Sequence, residues 1–122
     1  MMRMKHYFSL MVIVSFLMSV SAIARAQDVG WVGDVPVPAE ALINTQTAVT
    51  FDSPSGRVVK FSFHSDFDET QIYSFYAQTL MNLGWNSYED GFARDGEVMN
   101  ITKTGISSEG RTIYQLSLRP RS

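Results

Sequence analysis

His64, Asp66, Asp68 and Glu69 fall within six consecutive positions, and together they are the residues in this chain best suited to chemistry. An imidazole two residues from a carboxylate can form a proton-transfer pair, and the same cluster offers oxygen and nitrogen donors to a divalent cation. Either use would make a small hydrolase or a metal-dependent enzyme. The competing account is structural: His64 ends a strand on its wet face, Asp66 makes a turn, Asp68 caps a helix, and Glu69 sits at the positive helix N-terminus. Capping alone explains the acidic residues, so the structural account is preferred, and His64, Asp66 and Asp68 stand as candidates only. A calcium loop would need an alternating acidic series, a central glycine and a closing glutamate, and this segment supplies only the beginning.

Other chemistry finds less footing. Ser53, Ser55, Ser107 and Ser108 lie outside any nucleophile-elbow pattern, and only His64 could serve them as base. Glu89, Asp90, Asp95 and Glu97 resemble the paired carboxylates of glycosidases but flank turn signals, where solvated hairpin tips account for them. The glycine spacing forms no phosphate loop or dinucleotide fingerprint, and no cofactor is implied. Asn100-Ile101-Thr102 matches a glycosylation acceptor by pattern only. Phe75, Tyr76 and Trp85 could line a ligand cleft between helix and sheet, as in a small-ligand carrier, or could simply be core.

These residues are preceded by an address. Arg3 and Lys5 form a basic head, Tyr7 to Val20 is almost uninterruptedly apolar, and Ala24-Arg25-Ala26 is a small-x-small cleavage site. Residues 1–26 therefore read as a signal peptide cut after Ala26, with an uncleaved anchor as the alternative; a run of 14 residues falls short of the roughly 20 that a helix needs to span a bilayer. Of 122 residues, 96 then remain. Three of the 10 basic residues leave with the leader and none of the 12 acidic ones, giving a net charge of −5, which argues against nucleic acid or an anionic membrane surface as partner. Cysteine is absent, which removes disulfides, thiol catalysis and a lipid-modified Cys at the processing site. A periplasmic or secreted product follows, with no membrane insertion after cleavage.

Residues 27–47 read as an irregular N-terminal arm, punctuated by Gly30, Gly33, Pro36 and Pro38, with Trp31 and Val32 as anchors and a helical turn near Ala39 to Ala41; a disordered tail over residues 27–34 is the alternative. Residues 48–122 read as one α+β domain. Ala48 to Phe51 and Arg57 to His64 are predicted to pair as a hairpin across Asp52-Ser53-Pro54-Ser55-Gly56. A helix is predicted from Glu69 to Leu83: Asp68 and Gln71 have capping-box spacing, a largely apolar stripe runs through Ile72, Phe75, Tyr76, Thr79, Leu80 and Leu83, and Gly84-Trp85 has the pattern of a Schellman closure. Trp85 to Tyr88, Gly91 to Arg94, Glu97 to Lys103 and Thr112 to Leu118 are the remaining strands. The expected fold is two layers, one amphipathic helix on a five- to six-stranded antiparallel sheet in the order β-β-α-β-β-β-β. Its outer face would carry Lys60, Ser62, His64, Asn100, Thr102, Gln115 and Ser117, with no large apolar patch; the arm is free to cover Val58 and Ile113. Edge strands could pair across a dimer or be protected by the arm.

Phe75-Tyr76 through Leu80 to Leu83-Gly84-Trp85, with Pro36-x-Pro38 and Gly56-Arg57-Val58-Val59 before and Phe92-x-Arg94-x-Gly96-Glu97 after, resemble small, largely uncharacterised exported proteins of Gram-negative bacteria. The resemblance covers nearly all of the chain after the leader and implies one helix on an antiparallel sheet. No catalytic residue comes with it. A more distant similarity is to accessory domains of envelope lipoproteins that work by contacting other proteins, although this chain lacks their lipidated Cys; with no catalytic constellation in the sequence, the expected role is a non-catalytic binding domain with a cell-envelope protein as partner.

Overall fold

The computed structural model describes residues 28–121; the expected leader lies outside the described residues. Two short strands, β1 (Val29–Val32) and β2 (Val35–Pro38), form a separate hairpin. They are followed by β3 (Leu42–Ser53), β4 (Gly56–Ser65), the helix α1 (Glu69–Asn82), β5 (Asn86–Tyr88), β6 (Gly91–Arg94), β7 (Glu97–Ile106) and β8 (Thr112–Pro120). The large sheet has six antiparallel strands in the order β3-β4-β8-β7-β6-β5. That order follows from the helix. A helix of 14 residues is about 21 Å long, and the four strand spacings from β4 to β5 cover about 19 Å, so α1 carries the chain from β4 to the far edge. The remaining strands return as a meander and set β8 beside β4.

Both helix ends close as their residues require. Asp68 Oδ1 accepts from the Gln71 backbone N–H at 2.8 Å, and Gln71 Oε1 accepts from the Asp68 N–H at 2.9 Å. At the other end the Trp85 N–H donates to Leu80 O and the Gly84 N–H to Met81 O, a Schellman closure made possible by a φ of 88° at Gly84. Arg94 completes it by donating to Leu83 O at 2.8 Å while lying over the Trp85 ring. The helix buries Ile72, Phe75, Tyr76 and Leu80 against Val59, Phe61 and Phe63 of β4, Tyr114, Leu116 and Leu118 of β8, and Met99 of β7.

The arm is where the structure departs from expectation. Residues 29–38 are a hairpin, and β3 begins at Leu42, inside the segment read as irregular. Gly33 (φ 61°) starts the two-residue turn, and β2 is buried at all four positions. Val35 and Val37 enter the same core as the helix, so the hairpin lies on the helix side of the large sheet and leaves the outer face uncovered. Trp31, an expected anchor, is 54% exposed, and Val32 is only partly buried against the core. The prolines are tolerated because β2 pairs on one side only and can leave N–H groups out of the ladder. Arg57 fastens the hairpin turn to the sheet: its Nε and Nη2 donate to the two Glu97 oxygens at 2.7 and 3.2 Å, and its Nη1 donates to Asp34 at 2.9 Å.

Candidate functional site

The strand-to-helix segment does not bring His64, Asp66 and Asp68 together. His64 alternates with Phe63 and faces outward, between Leu42 of β3 and Ile113 of β8 in the ladder. Asp66 accepts from Arg111 Nε at 3.1 Å, and Asp68 is engaged in its cap. Glu40, not foreseen from the sequence, is the hub of this end of the molecule. Its Oε1 accepts from the Ser65 hydroxyl at 2.6 Å and the Asp66 N–H at 2.9 Å, and its Oε2 accepts from Arg111 Nη2 at 2.9 Å. One carboxylate thus ties the β2–β3 turn, the end of β4 and the β7–β8 loop. Among the described residues no group of three His, Asp or Glu side chains is arranged to hold a metal. The carboxylates Glu89, Asp90 and Asp95 are exposed at turns, and Glu97 is taken by Arg57.

The outer sheet face forms a second candidate region. Cross-strand partners share a face, so Phe51 lies beside Val58, Val49 beside Lys60 and Leu42 beside His64. Leu42, Val49 and Phe51 are 61%, 45% and 52% exposed. The face is therefore less polar than expected: Lys60, Ser62, Gln115 and Ser117 run through its centre, with apolar side chains along β3. A register irregularity shapes that edge. Residues 45–48 of β3 stand opposite Phe61 alone, and Thr47 is thereby placed within 3.4 Å of the Ser62 hydroxyl. The outer side of β3 has no partner strand among the described residues.

A third region lies between α1 and strands β6 and β7, a cleft of about 130 Å³. Of the three aromatics singled out in the sequence, only Tyr76 lines it; Phe75 and Trp85 are buried in the general core. Ile72, Phe92 and Ile101 supply apolar walls, and Tyr73, stacked on Phe92 with ring centroids 5.9 Å apart, flanks the opening. Tyr76 is fully buried and its hydroxyl has no hydrogen-bond partner among the described residues. Burial holds its pKa far above the usual tyrosine value, so the hydroxyl stays neutral. Tyr114, by contrast, donates to Phe67 O at 2.8 Å, and its pKa is raised first by burial and then by Glu69.

Comparison with family models, curated proteins and solved structures yields no match. The geometry therefore carries the functional reading. Phe51 was placed in a strand from the sequence, and its alternation with Thr50 fixes its face once the register with Val58 is known. Which strand ends the sheet is a property of the topology and leaves no local signal.

Proposed function

We propose that the chain is an exported, non-catalytic binding domain of the bacterial cell envelope that engages another envelope protein through the free edge of β3 and the open face beside it. The observation that carries this is the exposure of Val49 and Phe51 on an edge strand whose outer side has no partner strand among the described residues. An edge strand offers free backbone N–H and C=O groups to an extended segment, and exposed side chains alternating beside it give that pairing specificity. The register irregularity at residues 45–48 divides β3 into two regular runs, Leu42–Asn44 and Val49–Ser53, and the longer one carries Val49 and Phe51. The net charge of −5 after leader removal favours a protein partner over nucleic acid. The basic head, apolar run and small-x-small site of residues 1–26 support export, and no described helix is long and apolar enough to cross a membrane.

A photo-crosslinking amino acid placed at Phe51 in the full chain, expressed in its own cells, tests both parts. Discrete adducts with an envelope protein are expected from position 51 and not from Gln78 on the exposed side of the helix. Identical adducts from both positions, or recovery of the protein in the cytosol, would overturn the reading.

A further inference from the structure

We propose that the β3 edge of one molecule pairs with the same edge of a second copy, antiparallel about a two-fold axis at Thr50. The inference rests on the reading of this edge as the docking surface, and it adds what occupies the edge when no other protein does.

β3 is an unguarded edge. None of its 12 residues is fully buried, and its outer side has no partner strand among the described residues. Edge strands are ordinarily protected by Lys, by Pro or by being short. Leu42–Ser53 contains no Lys, Arg or Pro, whereas the opposite edge, β5, has only 3 residues.

The backbone phase selects the register. Pro54-Ser55 is a two-residue loop, which makes Ser53 and Gly56 the hydrogen-bonded closing pair. Pairs alternate from there, so Phe51 and Val49 bond to β4, while Thr50 and Asp52 turn their N–H and C=O groups outward. A two-fold axis at Thr50 lets the two Thr50 backbones exchange both bonds. Val49 then stands opposite Phe51 of the second copy on both sides of the axis, in the non-hydrogen-bonded pairs where side chains approach most closely. Charge favours the same choice. Asp52 is the one charged residue of β3, and it falls beside Ala48 of the second copy. An axis at Asp52 would oppose two carboxylates, and an axis at Phe51 would leave Val49 opposite Ser53. The run Val49–Ser53 is about 17 Å long. Such a strip buries less than the roughly 1,200 Å² of a standard interface, so the dimer is weak.

The test is sedimentation velocity on the protein purified from its own cells, from about 1 μM to 1 mM. A monomer–dimer equilibrium is expected, half complete near about 100 μM, with nothing larger, because a two-fold contact consumes the edge. Thr50 is exposed, so Thr50→Lys should fold. It sets two ammonium groups opposite each other across the axis and should weaken association at least about tenfold. An equal mixture of Thr50→Lys and Thr50→Glu should recover the dimer. With the axis at Phe51 the new lysine would instead face Asp52 and tighten it. A monomer throughout, assembly beyond two copies, a Thr50→Lys variant that associates as well as wild type, or a mixture that stays monomeric would overturn the proposal. Photo-crosslinking from position 51 separates this failure from that of the envelope-partner reading. A monomer that still gives envelope-protein adducts overturns the dimer alone, and a dimer whose only adducts are with itself overturns the partner alone.

Discussion

Replacing Arg57 with Met removes the guanidinium that joins the β1–β2 hairpin to the large sheet while keeping much of the stem's packing. Three charge-assisted hydrogen bonds are lost, at 2.7 and 3.2 Å to Glu97 and 2.9 Å to Asp34. The two carboxylates are not equivalent. Asp34 is 60% exposed, so solvent screening limits its share to about 0.5 kcal/mol. Glu97 is 21% exposed and accepts a two-pronged bond, and leaving it unpaired costs about 1.5 kcal/mol. The sum is about 2 kcal/mol, which for a domain of this size lowers Tm by roughly 8–16 °C. Calorimetry at pH 7 measures that fall, and hydrogen exchange locates it: amides of β1 and β2 should lose more protection than those of β4 and β8. Acid provides a further check. Arg57 holds the Asp34 carboxyl below its usual 3.8, chiefly by hydrogen bonding. The Asp34 contribution is therefore complete above about pH 4 and disappears as pH falls through the lowered pKa, so the gap between wild type and variant should narrow slightly in acid. A Tm within 2 °C of wild type at pH 7, or unchanged exchange in β1 and β2, would refute the idea that Arg57 fastens the hairpin.

Two further substitutions separate structural from chemical roles. Asp68→Ala removes the helix cap seen at 2.8 Å and should cost about 1 kcal/mol in thermal or urea unfolding, whereas His64→Ala, at a half-buried outward position, should change stability by less than about 0.5 kcal/mol. Gly91→Ala should be severely destabilising, by about 3 kcal/mol or more, or prevent folding, because an added Cβ would collide with the Met99 carbonyl oxygen and the Asn100 amide; circular dichroism of the expressed variant checks it.

Much of this fold was legible because its signals are local. Asp68 with Gln71 and Gly84 with Trp85 mark the helix ends by residue type at fixed offsets, and the structure uses each as expected. The alternation of Val59, Phe61 and Phe63, and of Tyr114, Leu116 and Leu118, separates inner from outer faces without knowledge of the partner strand. The hairpin at residues 29–38 was missed for an identifiable reason. Pro36 and Pro38 argue against a strand, and a segment buried at every position shows no alternation to set against them. Yet Gly33-Asp34 between two Val-rich runs is itself a two-residue hairpin signal, and a one-sided strand can accommodate prolines.

The candidate sites divide along the same line. Asp66 and Asp68 could be assigned to turn and cap because their partners are near in sequence or imposed by the helix start. Glu40 and Arg111, 71 positions apart, meet only because the meander returns β8 to the side of β4, so no window of sequence contains their pairing. The apolar row on β3 belongs with them. Val49 and Phe51 would be ordinary side chains on a central strand with a covered face. They stand exposed because the helix carries the chain away from β3, the meander closes against β4 instead, and the hairpin goes to the opposite face. Local chemistry supplied the elements here, and the long-range order of strands decided which of them are left exposed.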